Sequence, residues 1–374
     1  MKVRGAVLTE MGRAGPYADT RPLEIVELDL EPPGPGEILI RVRAAGLCHS
    51  DLSVIDGSRP RVMPMVLGHE AAGEVVELGP DVDEFAPGDH VVLSFVPSCG
   101  RCGPCLDGRA ALCEPGAVAN AAGALLSGAR RWQGSEGSPL HHHLGVSAFA
   151  EHVVVSAQSA VKIDRELPFE IAALFGCAVL TGVGAALYSA GVSPGDSVAV
   201  FGLGGVGLAA LLGARVAGAT TLIAVDVVQE KLDLALELGA THAILGGQHV
   251  DEEVRAATGG GAVKVIETAG NAAVLAQAYA ATRRGGTTVT VGLPDPAQML
   301  SIPAVSLVAE EKTLRGCYLG SAVPARDIPR FVALHRAGML PVERLLTHRL
   351  TLEQLNEGFD RLASGHAVRQ AVIL

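Results

Sequence analysis

The chain has 374 residues and is acidic, with 29 Lys and Arg against 40 Asp and Glu and a net charge of −11. Apolar residues make up 49% of it and charged residues 18%, so it is expected to fold into about two globular domains rather than remain disordered. A chain this acidic, without a run of Lys or Arg and with 3% aromatic residues, is a poor candidate for binding nucleic acid or an anionic membrane.

Two uncharged stretches, residues 171–195 and 197–214, are long enough to imitate membrane spans. The first contains several glycines and lacks flanking aromatic belts, and the second contains a glycine motif described below. We therefore predict that both belong to a buried α/β core and that the protein does not enter a membrane. The amino terminus, MKVRGAVLTE, lacks the apolar segment of a signal peptide, which predicts a cytoplasmic protein.

The pattern of elements changes along the chain. Residues 1–116 contain short β-branched segments separated by Gly and Pro, which predict strands with tight turns, as in a partly open β-barrel. Residues 117–146 form an excursion rich in Gly, Ala and Ser that holds the only tryptophan, Trp132. From Ser197 strand and helix patterns alternate, which predicts an α/β region with a doubly wound parallel sheet. After Gly316 the pattern is mixed and ends in a predicted short strand, VRQAVIL.

Four of the seven cysteines lie within fifteen residues, at Cys99, Cys102, Cys105 and Cys113. Four thiolates at these spacings on a loop rich in Gly and Pro can form a closed tetrahedral shell around one Zn²⁺. A redox dithiol and an iron–sulfur cluster are the competing interpretations, but redox CxxC motifs normally begin a helix. The spacing therefore favours structural zinc over these and over disulfides.

Cys48, His69 and the distant Cys177 are weak signals individually, because a lone cysteine or histidine is usually a structural core residue. Together they supply three ligands, a set that leaves a fourth zinc position for water or substrate. Glu70, next to His69, is a candidate alternate ligand or a residue that supports the ligands.

A glycine motif follows the predicted strand SVAVF and begins a predicted helix. It comprises Gly202, Gly204, Gly205, Val206 and Gly207. Asp226 stands 19 residues after Gly207, at the end of a second predicted strand. In this context the glycines let backbone N–H groups approach a pyrophosphate at a helix N-terminus, and the carboxylate binds ribose hydroxyls. We therefore predict a dinucleotide-binding site.

These motifs together make the chain resemble, throughout its length, the zinc-dependent alcohol dehydrogenases of the medium-chain dehydrogenase/reductase family. The resemblance is carried by GLCHSD, GHEAAGEV, the four-cysteine segment, GCAVLTG, GLGGVG, NEGFDRLASG and VRQAVIL. The segment HHHLGVSAFAEHVVV is most similar to the liver-type and formaldehyde-oxidising branches. The resemblance implies a GroES-like, barrel-like catalytic domain over residues 1–176, a Rossmann domain over 177–317, and a return to the catalytic domain over 318–374.

The resemblance also implies NAD and two zinc ions per chain, a catalytic one on Cys48, His69 and Cys177 and a structural one on the four-cysteine loop. The remaining implied site residues are His49 and Arg369 at the pyrophosphate, Ser50 on the substrate hydroxyl, Thr181 against the nicotinamide, Asp226 and Lys231 at the adenosine ribose, and Phe95 and His143 lining the substrate pocket.

Some of these assignments leave alternatives open. Lys231 and Arg369 could instead be solvated surface charges, and Cys317 has no role in the pattern. His143 stands where liver-type relatives usually carry an aromatic residue, which predicts a more polar pocket. Arg59, near the expected pocket mouth, could favour an acidic substrate or could simply be solvated.

The implied activity is the reversible transfer of a hydride from a small primary or secondary alcohol to NAD, which gives an aldehyde or a ketone. The alternatives are a thiol-adduct (S-hydroxymethyl thiol) formaldehyde dehydrogenase and a catalytically inactive nucleotide-binding protein. The excursion resembles that of dimeric members, whose Rossmann sheets join edge to edge, so a homodimer is expected over a homotetramer. The chain departs from the liver-type pattern at Ser53, where those relatives carry a histidine that relays the alcohol proton.

Overall fold

The computed structural model describes residues 1–134 and 137–374, which divide into two compact units. We call them the first and the second unit. The first unit comprises Met1–Cys177, Val323–Arg330 and Leu346–Leu374, and the second comprises Ala178–Ala322 and Phe331–Leu345.

The strands, numbered in chain order, are β1 (Lys2–Leu8), β2 (Leu23–Leu30), β3 (Glu37–Gly46), β4 (Met65–Val66), β5 (Glu70–Leu78), β6 (His90–Leu93), β7 (Trp132–Gln133), β8 (Pro139–His142), β9 (His152–Ser156), β10 (Ala160–Ile163), β11 (Ser197–Phe201), β12 (Thr221–Asp226), β13 (His242–Leu245), β14 (Ala262–Glu267), β15 (Thr282–Thr290), β16 (Thr313–Gly316), β17 (Leu346–Leu350) and β18 (Arg369–Ile373).

The α-helices are α1 (Tyr17–Thr20), α2 (His49–Ile55), α3 (Gly103–Leu106), α4 (Glu114–Ala122), α5 (Phe169–Leu174), α6 (Ala178–Gly184), α7 (Gly205–Val216), α8 (Gln229–Glu237), α9 (Val250–Thr258), α10 (Ala272–Ala281), α11 (Ala304–Ala309), α12 (Pro324–Arg336) and α13 (Leu355–Ala363). Short single turns of helix occur at Ala110–Leu112, Ala157–Ser159, Leu319–Ser321, Val342–Leu345 and Leu352–Gln354, and a π-helical segment at Ala185–Ala190.

Five strands of the first unit close a barrel in the order β1-β2-β7-β8-β4. Trp132, which starts β7, is fully buried. The segment predicted as an excursion thus contains the last two thirds of α4 and two barrel strands. Strands of two and four residues are too short to show an alternating pattern, which is why the sequence did not reveal them.

A second sheet of the first unit brings the end of the chain back to its beginning. Its strands lie in the order β10-β6-β5-β3-β18-β17, and β9 also pairs with β3. The carboxyl-terminal β18 runs antiparallel to β3, with Ala371 opposite Gly46. Residues near the end of β3, in β5 and at the start of β18 therefore meet at one place, where the candidate metal ligands lie.

The second unit is built on a six-stranded parallel sheet in the order β13-β12-β11-β14-β15-β16. Its apolar core includes Phe201, Ile223, Val254 and Val265, all with almost no exposure. The strand order reverses beside β11, which is the place where doubly wound sheets bind ligands. The predicted fold class, a doubly wound parallel sheet together with a barrel-like domain, is confirmed.

The uncharged stretch 171–195 is divided among α5, α6 and the π-helical segment. Within the described ranges, no helix is both long enough and apolar enough to cross a membrane.

Candidate zinc centre and dinucleotide site

Three separate elements bring Cys48, His69 and Cys177 together in the first unit. Cys48 precedes α2 directly, His69 lies between β4 and β5, and Cys177 joins α5 to α6. One ligand atom from each side chain lies within 4.8 Å of the others, and all three residues are buried. Cys177, more than a hundred positions beyond His69 in the sequence, thus forms one donor set with Cys48 and His69.

Two glycines make this convergence possible. Gly68 has φ +93°, and a Cβ there would lie 2.6 Å from the backbone nitrogen of Phe149. A Cβ on Gly176 would lie 2.4 Å from the carbonyl oxygen of Leu93. Any other residue at either position would push a metal-ligand segment away from its partners.

The polar atoms of this cluster fit a bound zinc ion. Across the described part of the chain, His69 Nε2 and both carboxylate oxygens of Glu70 are buried without a hydrogen-bond partner. An unsatisfied buried polar group costs about 1–3 kcal/mol, so a folded protein normally supplies a partner. Two thiols and an imidazole nitrogen are the donors that Zn²⁺ prefers, with room for a further ligand.

The charges around the cluster favour a thiolate at Cys48. The hydrogen bond from Cys177 holds the pKa of Cys48 well below its usual value against the opposing effect of burial, and the charge of Arg369 acts in the same direction. Since a thiolate, not a thiol, is the form that ligates zinc, this arrangement prepares Cys48 to bind the metal.

Glu70 and Arg369 form a buried pair beside the two thiols. Arg369 Nη1 lies 3.6 Å from Glu70 Oε2 and donates a hydrogen bond to the carbonyl oxygen of Leu47 at 2.9 Å. Burial raises the pKa of Glu70 to about 7, although the Arg369 charge opposes that rise. A Cβ on Gly46 would lie 2.7 Å from Glu70 Oε1, so only glycine leaves room for this carboxylate.

Sequence reasoning missed Asp51, which is fully buried beside the cluster. Its Oδ2 lies 3.1 Å from His69 Nδ1 and its Oδ1 lies 3.1 Å from His143 Nδ1. The backbone N–H of Gly68 also donates to Oδ1 at 3.1 Å. Burial alone would raise the pKa of Asp51, but the two histidines lower it, so the carboxylate is ionised and orients both rings. Its position in the first turn of α2, three residues after Cys48, was the available signal.

The side chains of the predicted pocket residues Phe95 and His143 both contact the ring of His69. The Phe95 ring meets it edge-on with centroids 5.4 Å apart, and the His143 ring lies 5.5 Å away. Ser50 is half-buried in the first turn of α2, and His49 at the start of that helix is exposed. The structure therefore places Phe95 and His143 directly at the candidate zinc centre.

The four clustered cysteines also converge, with their sulfur atoms within 4.8 Å of one another. Cys113 Sγ accepts backbone hydrogen bonds from Cys99 at 3.2 Å and Gly116 at 3.4 Å. The backbone N–H of Arg101 lowers the pKa of Cys99 to about 6. Cys102 and Cys113 directly precede α3 and α4, so the rule that redox CxxC motifs normally begin a helix does not by itself exclude a redox pair here. The convergence of all four sulfurs still fits a single tetrahedral ion, with no side-chain oxygen or nitrogen in the set.

In the second unit the glycine motif turns the chain sharply from β11 into α7. Gly202 has φ +86°, and a Cβ on Gly207 would lie 1.8 Å from the carbonyl oxygen of Gly202. Gly204 precedes α7 directly, and no atom lies within 4 Å of where its Cβ would be. Gly205 and Val206 form the first turn of α7. The open space before this helix N-terminus suits a pyrophosphate.

Asp226 ends β12 beside this turn. Its carboxylate accepts hydrogen bonds from the backbone of Leu203 at 2.6 Å and of Val228 at 3.0 Å, which fixes its orientation. Sequence reasoning missed Thr268, whose hydroxyl donates to the carbonyl oxygen of Gly202 at 2.7 Å. Its position just after β14, a neighbour of β11, was the only signal for it.

The other predicted cofactor residues are largely buried. Thr181 lies in α6 at 7% exposure and Lys231 in α8 at 9%. Arg369 is 4% exposed in the first unit. The alternative interpretation of Lys231 and Arg369 as solvated surface charges is therefore wrong.

Comparisons with known proteins identify the class. Residues 34–165 match the alcohol dehydrogenase GroES-like domain, and residues 205–336 match the zinc-binding dehydrogenase domain. The chain is 40% identical to the NDMA-dependent alcohol dehydrogenase of Amycolatopsis methanolica over 385 residues, which cover 100% of this chain and 99% of that protein.

Solved structures agree over the whole chain. A zinc-binding-domain alcohol dehydrogenase from Burkholderia ambifaria matches with a TM-score of 0.94 at 39% identity, covering 100% of this chain and 99% of that one. The benzyl alcohol dehydrogenase of Acinetobacter calcoaceticus matches with a TM-score of 0.91 at 32% identity and the same coverage. The chain belongs to the zinc-dependent alcohol dehydrogenases of the medium-chain dehydrogenase/reductase family.

Proposed function

We propose that this protein oxidises a small alcohol with NAD as the hydride acceptor, using one catalytic and one structural zinc ion per chain. The observation that carries the proposal is the buried set of Cys48, His69 and Cys177, whose imidazole Nε2 has no partner in the described residues. The glycine turn before α7 and the fixed carboxylate of Asp226 support the dinucleotide half of the proposal.

The residues of this chain have distinct tasks in the proposed reaction. When bound, zinc acts as a Lewis acid that stabilises negative charge on the substrate oxygen, and the nicotinamide accepts hydride. Asp51 fixes the ring of His69, leaving Nε2 free for the metal. Ser50 takes the alcohol proton, since a hydroxyl both accepts and donates. Glu70 is a candidate alternate ligand that is held beside the thiols by Arg369.

A substrate screen tests the proposal. The purified protein is mixed with NAD and a panel of primary and secondary alcohols, and NADH formation is followed by absorbance. Formaldehyde with added thiols belongs in the panel because a thiol adduct is the alternative substrate, and NDMA is included as an added acceptor because a relative depends on it. Protein that binds NAD but oxidises nothing in any of these mixtures would instead be a nucleotide-binding protein without catalysis.

The wild-type protein is expected to prefer NAD over NADP by at least about tenfold in kcat/KM, equivalent to about 1.4 kcal/mol. The Asp226 carboxylate would repel the 2′-phosphate of NADP, and the neighbouring Val227 and Val228 offer no compensating cation. Asp226→Asn should reduce the preference, whereas Glu230→Gln, an exposed acid on the next helix, should not. Equal kcat/KM values for the two cofactors in the wild type would contradict this assignment.

The proton is expected to leave through Ser50 and water, with Ser53 at most bridging. Ser53 Oγ already donates to the carbonyl oxygen of His49 at 2.6 Å, and a hydroxyl cannot store a proton near neutral pH as a histidine can. Ser50→Ala should therefore lower turnover by about 10²-fold, the low end for a positioned proton-transfer group, whereas Ser53→Ala should change it little.

His49 provides the competing route. If His49→Gln slows the hydride step severely, leaves NAD affinity intact and is rescued by added imidazole, His49 is the base. The assignment of the proton to Ser50 and water would then be wrong.

We also propose a homodimer formed through the edge of the parallel sheet. β16 is an edge strand, and the segment before it exposes Met299, Val305 and Val308 at 85%, 73% and 81%. Unpaired strand edges next to exposed apolar side chains favour pairing with a second copy. Light scattering should show a dimer that Val308→Asp shifts to monomer, while Val118→Asp, on the similarly exposed Val118 of α4, should not. A stable tetramer at micromolar concentration would overturn the dimer.

A further inference from the structure

One buried amide holds the chain just beyond β6 in place. Phe95 follows β6 by two residues and lies outside the paired residues of that strand. Asn120, in the last turn of α4, donates a hydrogen bond from Nδ2 to the carbonyl oxygen of Phe95 at 2.9 Å. Both residues are 8% exposed, so this bond is shielded from water. Asn120 therefore fixes a stretch of backbone that lies beyond the pairing of the sheet.

The amide of Asn120 is not explained by its own packing. Its Oδ1 is buried and, within the described ranges, has no hydrogen-bond partner. A buried acceptor without a partner lowers the stability of the fold, and an apolar side chain of the same size would avoid that loss. What the amide contributes at this position is its donor, and the group that receives it is the backbone of Phe95.

The helix that carries Asn120 is fixed at its other end by the four-cysteine loop. Cys113 directly precedes α4, and its Sγ accepts a hydrogen bond from the backbone N–H of Gly116 at 3.4 Å. A Cβ on Gly116 would lie 2.4 Å from the carbonyl oxygen of Pro97, so α4 also packs closely against the residues that follow Phe95. The helix α4 therefore connects the four-cysteine loop to the segment that contains Phe95.

The position of Phe95 matters because its ring contacts the candidate zinc ligand His69. The two rings meet edge-on, with their centroids 5.4 Å apart. A side chain against a metal ligand forms part of the surface that a substrate on the metal would touch. A displacement of about 1 Å in such a surface changes how the substrate is oriented for reaction.

We infer that Asn120 is a positioning residue: its hydrogen bond holds Phe95 where the ring limits the substrate space at the zinc centre, and α4 makes that position depend on the four-cysteine loop. The effect on substrates rests on the proposed alcohol oxidation. Alcohols large enough to touch Phe95 should depend on Asn120, whereas ethanol should depend on it little. The four-cysteine loop thereby has a task besides stabilising the fold.

Asn120→Leu tests the inference, because it removes the donor and nearly keeps the size of the side chain. For the zinc-loaded protein with NAD, kcat/KM is measured for benzyl alcohol, hexan-1-ol and ethanol. We expect the variant to lower the ratio of each larger alcohol to ethanol by about tenfold, as for a pocket whose shape changes by one methylene group. Two zinc ions per chain should remain bound. A ratio equal to that of the wild type would overturn the inference.

Asn356→Leu is the matched control. Asn356 lies in α13, is also buried and also bonds to backbone. Its side chain accepts from the N–H of Leu23 at 3.2 Å and donates to the carbonyl oxygen of Leu23 at 3.0 Å. The same substitution there should lower the melting temperature without changing the ratio of the alcohols. An equal change of the ratio in both variants would identify lost stability as its cause and would refute the positioning role.

The place of the Phe95 ring can be followed without turnover, by ¹⁹F NMR of zinc-loaded protein labelled with fluorophenylalanine. The chain has eight phenylalanines, and the signal of Phe95 is assigned by its loss in Phe95→Leu. We expect that signal to shift in Asn120→Leu and to stay in place in Asn356→Leu. Cys102→Ser, recorded well below its melting temperature, should shift it as well, because the loop then no longer holds α4.

These spectra separate the inference from the proposed function. A Phe95 signal that does not move in Asn120→Leu would refute the inference even if the protein oxidised alcohols. A signal that moves in Asn120→Leu but not in Cys102→Ser would refute the dependence on the four-cysteine loop. The expected shifts in protein that forms no NADH would refute the proposed function alone.

Discussion

Cys48→Ser is expected to lower turnover by at least about 10³-fold while leaving the fold largely intact. A Lewis-acidic metal supplies several kcal/mol of charge stabilisation in the transition state, and each 1.4 kcal/mol or so is a factor of ten in rate. Cys48 supplies the thiolate of the three-ligand set, and its loss leaves His69 and Cys177 alone. The zinc content should fall from two ions per chain to one.

Three measurements check this expectation: metal analysis, kcat with the best alcohol from the screen, and circular dichroism for the fold. Cys317→Ser is the matched control, because Cys317 lies in the second unit and belongs to none of the three candidate metal sets in the described residues. It should retain both zinc ions and its turnover. Wild-type kcat in Cys48→Ser would show that the chemistry does not depend on this ligand set.

Cys102→Ser should have a different effect, a large loss of stability. The binding energy of a structural zinc site is itself folding energy, on the order of 10–16 kcal/mol in isolated zinc domains, which equals or exceeds the stability of many whole proteins. The loop around Cys113 has two backbone N–H groups directed at one sulfur. Its leucines Leu106 and Leu112 are exposed, and its buried apolar side chains are the small ones of Ala110 and Ala111. Loss of the metal therefore removes a large part of what stabilises it.

We expect Cys102→Ser to lower the melting temperature by about 10 °C. For a domain of this size, that shift corresponds to a loss of several kcal/mol in the free energy of unfolding. Calorimetry should show a similar loss after wild-type protein is stripped of both metals with a chelator. Cys317→Ser again serves as the control and should melt near the wild type. An unchanged melting temperature in Cys102→Ser, together with a zinc content of two, would contradict a structural zinc at these four cysteines.

Local patterns in the sequence predicted the parts of the site that depend on spacing. The four cysteines lie on one short loop, so their spacing alone indicates a shared ion. The glycine motif is also local, because the turn from β11 to α7 and its φ of +86° at Gly202 depend on adjacent residues. Alternating strand and helix patterns likewise predicted the doubly wound sheet of the second unit.

Features that depend on long-range pairing could not be predicted in the same way. Asp51 meets His69 and His143 only because α2, the β4–β5 turn and the chain after β8 lie side by side in the folded first unit. Burial of Lys231 and Arg369 is likewise a property of the tertiary structure, since neither residue type is normally buried. The barrel strands β7 and β8 are too short to show a pattern of their own.

The central claim is that alcohol oxidation depends on zinc held by Cys48, His69 and Cys177. The most direct test measures zinc content and NADH formation together in one preparation, before and after the more readily exchanged zinc is removed with a chelator, and again after zinc is added back. We predict two zinc ions per chain at the start. NADH formation should fall in proportion to the loss of the more readily removed ion, and it should recover when zinc is added back. NADH formation that continues unchanged in protein with one zinc ion or none would contradict the claim.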